Sequence, residues 1–135
     1  MPDPDPRHAK AKPAVRRVLW QRALADDPIF YLTLVKTVPE LEMKWPGRFL
    51  YDLLNEISID EVELRGGPMI SAMAVHSRRH KKDDNRIEPG DGFYKTASET
   101  LKCLSLDASS KERYAFWQHE RKATVKWARS HPESF

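Results

Sequence analysis

The side chains suited to chemistry in this 135-residue chain gather in two places. The first is residues 65–97, RGGPMISAMAVHSRRHKKDDNRIEPGDGFYKTA. It holds His76 and His80, the cations Arg78, Arg79, Lys81 and Lys82, and the acids Asp83, Asp84, Glu88 and Asp91. The second is a basic stripe near the C-terminus, made of Lys111, Lys122, Lys126 and Arg129. A histidine beside a run of cations can exchange a proton near neutral pH, as general acid–base cleavage of RNA requires. His76 is therefore the catalytic candidate, although a histidine that merely packs or caps a strand end would look the same. Glu61 and Glu63, with Lys95, are conceivable acids and cation for a metal-assisted nuclease, but their spacing fixes no geometry.

Other chemistries fit poorly. Histidines four apart meet as zinc ligands on a helix, yet here they lie on a strand running into a loop. Cys103 and His119 would complete such a set only through tertiary folding, so no metal is expected. The acids of 83–91 do not follow the alternation of a calcium loop. There is no nucleophile elbow, P-loop or dinucleotide fingerprint, and Gly90-Asp91-Gly92 is too short a glycine pattern to imply a phosphate. No cofactor is expected. Cys103, with apolar neighbours, reads as a small core residue rather than a nucleophile.

The basic stripe has a geometrical basis. At about 100° per residue, Lys111, Gln118, Lys122, Lys126 and Arg129 fall within about 80° of one another on a helix. Such a face could neutralise several phosphates, with steep salt dependence. It could equally solvate a surface helix, and Glu112 and Glu120 dilute its field. No RNA-recognition aromatic motif, zinc-finger spacing or helix-turn-helix turn accompanies it.

The elements that must position these groups read mainly as helix. Residues 1–13 are rich in proline and hold no large apolar residue after Met1, so they are expected to be a disordered tail. A domain over 14–130 follows. Pro13 opens a helix carrying Val15, Val18, Leu19 and Leu24. Asp26-Asp27-Pro28 then resembles a helix start, whereas the β-branched and aromatic residues of IFYLTLVKTV favour a strand; helix is preferred, ending before Pro39. From Pro46, the residues Phe49, Leu50, Leu53, Leu54 and Ile57 form the clearest amphipathic helix. Ser58 to Glu61 fits a capping box opening a helical turn that stops at Gly66, with an edge strand as the alternative.

Residues 69–75, MISAMAV, are apolar or small at every position, as in a strand covered on both faces. The best pairing partners are 60–65 or the 29–38 segment. A charged loop then leads to a helix over 93–104. Ser109 and Glu112 make a second capping box for a last helix over 110–129. The fold class expected is α+β: a mainly helical single domain with a small sheet containing 69–75.

Composition narrows the setting. Hydrophobic content of 40% and charged content of 32% suit a globular domain. No apolar run approaches the roughly 20 residues that cross a bilayer, so no membrane partner is expected. The single cysteine and the lack of an apolar leader point to the cytoplasm. The net charge of +3 leans weakly towards anionic partners.

Gly67-Pro68-Met69-Ile70-Ser71-Ala72, then Pro89-Gly90-x-Gly92-Phe93, then Phe116-Trp117 and Trp127, resemble a pattern in small, functionally uncharacterised bacterial proteins. The resemblance covers about residues 47–128, implies a single bacterial domain, and assigns no activity and no site residue. From the residues, the expected role is a non-enzymatic accessory or regulatory protein. It would bind nucleic acid or an acidic partner through Arg78, Arg79, Lys81, Lys82, Lys111, Lys122, Lys126 and Arg129. The alternatives are a small nuclease using His76, and a protein-interaction subunit or inhibitor.

Overall fold

A computed structural model describes residues 5–77 and 87–131. It is a mainly helical α+β domain with a small mixed sheet. Helix α1 spans His8–Ala25 and buries Ala11, Val15, Leu19, Trp20 and Ala23. Pro13 lies inside this helix, and only residues 1–4 of the expected tail are outside the described part. The compositional argument failed here because charged contacts, not bulky apolar ones, hold the first turns down. Lys12 Nζ lies 2.6 Å from both Glu56 Oε1 and Asp60 Oδ2, and His8 Nε2 lies 2.9 Å from Glu56 Oε2. Arg7 donates to the Leu41 carbonyl at 2.9 Å and stacks its guanidinium 4.0 Å from the centre of the Phe49 ring.

These contacts leave a mark on the titrating groups. Partial burial pushes the Glu56 carboxyl up, but hydrogen bonds from Lys12 and His8 outweigh it and its pKa lies below the usual range. Burial works likewise against the Lys12 ammonium, and its bonds to Asp60 and Glu56 reverse that, raising its pKa. Hydrogen bonds from the Arg7 side chain and backbone hold Asp5 at about 2.

The next segment satisfies both of its sequence signals in turn. Ile29–Phe30 form strand β1, and Tyr31–Thr37 form helix α2, which stops before Val38-Pro39. A 3-10 turn over Pro39–Leu41 follows. Helix α3 runs unbroken over Arg48–Arg65 and ends at Gly66, whose φ of 68° is left-handed. Ser58 therefore does not cap a new helix. It is buried at mid-helix, with its hydroxyl 2.6 Å from Ser71 Oγ.

The apolar run at 69–75 is only in part a strand. Ile70–Met73 form a 3-10 turn, and strand β2 covers Ala74–Ser77. Side chains take over the backbone bonding that a longer strand would need. The Ser71 N–H donates to Ser58 Oγ at 3.0 Å, the Met69 N–H to Glu120 Oε2 at 2.9 Å, and the Trp117 indole to the Ala72 carbonyl at 2.8 Å. Strand β2 pairs parallel with β1 (Ile29 with Ala74, Phe30 with Val75). It pairs antiparallel with β3, Ile87–Glu88, in the register His76 to Glu88. Residues 60–65, one of the two partners expected from sequence, are helical instead.

Helix α4 is short, Asp91–Lys95, and continues through a π turn over Thr96–Thr100, stopping before the 104 expected from sequence. Helix α5 spans Ser110–Ser130 and begins with the expected capping box, in which Ser109 Oγ accepts from the Glu112 N–H and Glu112 Oε1 accepts from the Ser109 N–H. The core has two clusters. One is built largely from α1, α2 and α3 and includes Ile70 and Met73; the other joins Met69, Ala72 and Val75 to Phe93, Tyr94, Ala97 and Trp117.

Candidate functional site

Helices α2, α3 and α4 leave a cleft of about 1070 Å³ between them. Phe30, Tyr31 and Tyr51 give it an aromatic wall, and Asn55, Ser71 and Thr96 supply neutral polar groups. Tyr51 and Asn55 are four residues apart on α3, so one helical face presents both. Phe30 and Tyr51 remain 46% and 40% exposed, and Trp45, next to the lining residue Pro46, is 66% exposed. Two of the five large hydrophobics exposed among the described residues, Phe30 and Tyr51, thus line one opening.

His76 lies in this cleft. Its ring stacks on Tyr31 at 5.7 Å between centroids and 20° between planes, while Tyr31 meets Tyr51 edge-on at 5.4 Å. The Tyr31 hydroxyl accepts from the Gly90 N–H at 2.8 Å, tying α2 to the turn that opens α4. Across the β2–β3 pair, Glu88 is buried and its Oε1 accepts from the Tyr94 hydroxyl at 3.1 Å. Sequence placed His76 by its neighbours along the chain. What surrounds it in space comes from Tyr31 and Tyr51, which sequence reasoning did not single out. The signal for Tyr51 and Asn55 was their spacing on α3, beside the apolar face rather than within it.

The carboxylates proposed to work with His76 are elsewhere. Glu61 is fully buried where α1, α3 and α5 meet. Its Oε1 accepts from Arg16 Nε at 3.1 Å, and its Oε2 from Arg16 Nη2 at 3.3 Å and from the Trp127 indole at 3.0 Å. Glu61 does not line the cleft, and Glu63 is exposed on α3. Lys95 does reach the cleft, with its ammonium 3.9 Å from Glu99 Oε2.

The stripe residues Lys111, Lys122, Lys126 and Arg129 are all exposed on α5. Arg129 also donates to the Leu24 carbonyl at 3.3 Å. No α5 residue lines the cleft, so the structure does not bring the stripe and His76 into one site. Arg78, Arg79, His80, Lys81 and Lys82 lie outside the described residues. Glu120 does not simply dilute the stripe's field, because its carboxylate holds the Met69 N–H.

Cys103 is exposed, not a core residue as expected, because the helix ends before it. Desolvation, and then the nearby Glu120 charge, push its thiol pKa up, and Sγ lies 3.6 Å from the Ala97 carbonyl. Among the described residues no group of three His, Cys, Asp or Glu could hold a metal ion, and no helix is long and apolar enough to cross a membrane. No family model, curated protein or solved structure matches the chain.

Proposed function

We propose that this chain is a cytoplasmic, non-enzymatic accessory protein that captures a partner molecule in the aromatic cleft. The observation that carries this reading is the convergence of exposed Phe30 and Tyr51 on a cleft with neutral polar groups in its walls. Exposed aromatic side chains beside a concavity, tyrosine above all, contribute strongly to binding energy when covered. A nuclease centred on His76 is less well supported, since Glu61 is committed to Arg16. Nitrogen-15 NMR with a set of small aromatic and amide fragments tests the reading. Binding fragments should shift the amide signals of Asn55, Gly90 and Gly92, and Tyr51→Ala should abolish those shifts while the fold persists. Shifts that map away from these residues would refute it.

A second binding surface is favoured by the exposure of the four stripe cations on α5, Lys111, Lys122, Lys126 and Arg129. We propose that this face contacts nucleic acid or another polyanion. Neutralising Lys122, Lys126 and Arg129 together is expected to weaken DNA or RNA binding in a mobility-shift assay by about tenfold or more at low salt, and to flatten its salt dependence. Binding that survives the triple change would sink this surface.

A further inference from the structure

We infer that the polyanion met by the outer face of α5 is B-form duplex DNA, with the helix seated in the major groove, an inference that rests on the second binding surface proposed above. The fit comes from what that face carries, what it lacks and how its charges are spaced.

Helix α5 has one partnered side and one open side. Trp117, Thr124, Val125 and Ala128 are buried where it packs on α1 and on the 3-10 turn over Ile70–Met73. The open side exposes Lys111, Ala115, Gln118, Lys122, Lys126 and Arg129. These six fall within about 80° of one another at 100° per residue. Among the described residues Lys111, Lys122 and Lys126 form no ion pair. Glu120 is turned inward, its side chain 14% exposed and its Oε2 accepting from the Met69 N–H at 2.9 Å. Glu112, the other acid of the helix, lies at the edge of the stripe, where its Oε1 accepts from the Ser109 N–H at 3.2 Å. Four cations thus face one capping carboxylate, and an array of phosphates is the complement.

The absence of aromatic surface distinguishes one kind of nucleic acid from another. Single strands are held largely by stacking successive bases on aromatic rings. No Phe, Tyr or Trp of α5 is exposed, and His119 is the one exposed ring on the helix. A single imidazole, with its Nδ1 3.6 Å from Glu120 Oε1, is no platform for a run of bases. Duplex RNA is disfavoured by shape, because its major groove is deep and too narrow for side chains to read.

Spacing is the third feature. The major groove of B-DNA is about 12 Å wide and admits an α-helix. The rise from Lys111 to Lys122 is roughly 16 Å, with Ala115 and Gln118 between them. Cations at both ends of a neutral stretch suit a helix whose middle faces the bases while its ends reach the flanking phosphates. The Gln118 side chain makes no hydrogen bond among the described residues, and a carboxamide can pair with N6 and N7 of adenine. Alanine offers apolar contact to the thymine methyl.

Fluorescence anisotropy of the full chain tests the inference with a mixed-sequence DNA duplex, an RNA duplex and a DNA single strand of equal length. The DNA duplex is expected to bind about tenfold tighter than either other probe at low salt. Filling its major groove with glucosylated hydroxymethylcytosine should remove that advantage. Gln118→Ala should weaken the DNA duplex by about tenfold and leave the single strand unchanged. Lys111→Gln should lower the salt slope of duplex binding by about 0.9. Circular dichroism verifies that each variant is folded. Equal affinity for the three probes overturns the duplex assignment, and undiminished binding to the filled duplex overturns the groove seating. In either case a loss of binding on neutralising Lys122, Lys126 and Arg129 together still upholds the polyanion surface. If that triple change alters nothing, or if none of the probes binds at low salt, the surface and the inference fall together.

Discussion

Replacing Glu61 with alanine is expected to cost about 3–5 kcal/mol of folding stability, because it strands one half of a buried ion pair. Glu61 is wholly inaccessible, and the Arg16 side chain facing it is only 14% exposed. With the carboxylate gone, the guanidinium has lost the oxygens to which it donates from two of its nitrogens. The Trp127 indole loses its acceptor at the same time. Arg65, at 3.4 Å and 47% exposed, contributes little, since water screens it. Glu61→Gln is expected to cost less than alanine, as an amide oxygen can still accept one of these bonds. Urea denaturation measures both. If Glu61→Ala lies within about 0.5 kcal/mol of the parent, the pair is not holding the helices together. The double change Glu61→Leu with Arg16→Met should recover much of the loss, because well-packed apolar replacements avoid leaving an unpaired charge.

Trp117→Ala should be of similar size, about 3–5 kcal/mol from lost burial and the cavity left behind. Trp117 is 1% exposed, is the largest member of the second core cluster, and lies 5.6 Å from Tyr114 between ring centroids. Its indole N–H also satisfies the Ala72 carbonyl in the middle of the 3-10 turn. Trp117→Phe separates the two contributions. It keeps most of the ring contact and removes the donor, so a loss of about 1–3 kcal/mol is expected from the orphaned carbonyl together with the missing ring volume. A phenylalanine variant as unstable as the alanine one would show that the hydrogen bond, not the packing, dominates.

The last helix was legible in the sequence because two independent signals agreed. Ser109 and Glu112 fixed its start, and the spacing of Tyr114, Trp117, Val125 and Ala128 marks an apolar stripe, of which Trp117, Val125 and Ala128 are buried. Residues 69–75 were not, and the reason is specific. Every position there is apolar or small, so alternation could be read onto it without contradiction. The structure sorts the run by threes as far as the 3-10 turn extends and then by alternation: Met69, Ala72 and Val75 enter one cluster, Ile70, Met73 and Ala74 the other. Three residues per turn is the period of a 3-10 helix. The side chains that satisfy this backbone, Ser58 and Glu120 as acceptors and Trp117 as donor, are remote in sequence, and no local pattern announces them. The cleft was hidden for a related reason. His76 could be noted in isolation, but Tyr31, Asn55 and Thr96 belong to three different helical segments whose meeting depends on the fold.

Gly67 is packed so closely against Trp127 that an ideal Cβ would lie 2.7 Å from the indole. Since that same indole donates to Glu61, the ring cannot swing aside without breaking the bond. The identity of residue 67 is therefore tied to that of residue 127. A descendant or ancestor of this chain that keeps the tryptophan must keep the glycine, and one that shrinks the tryptophan is released from it. The two positions should change together in any lineage carrying this fold, a signature that can be sought in sequence data before any activity is known.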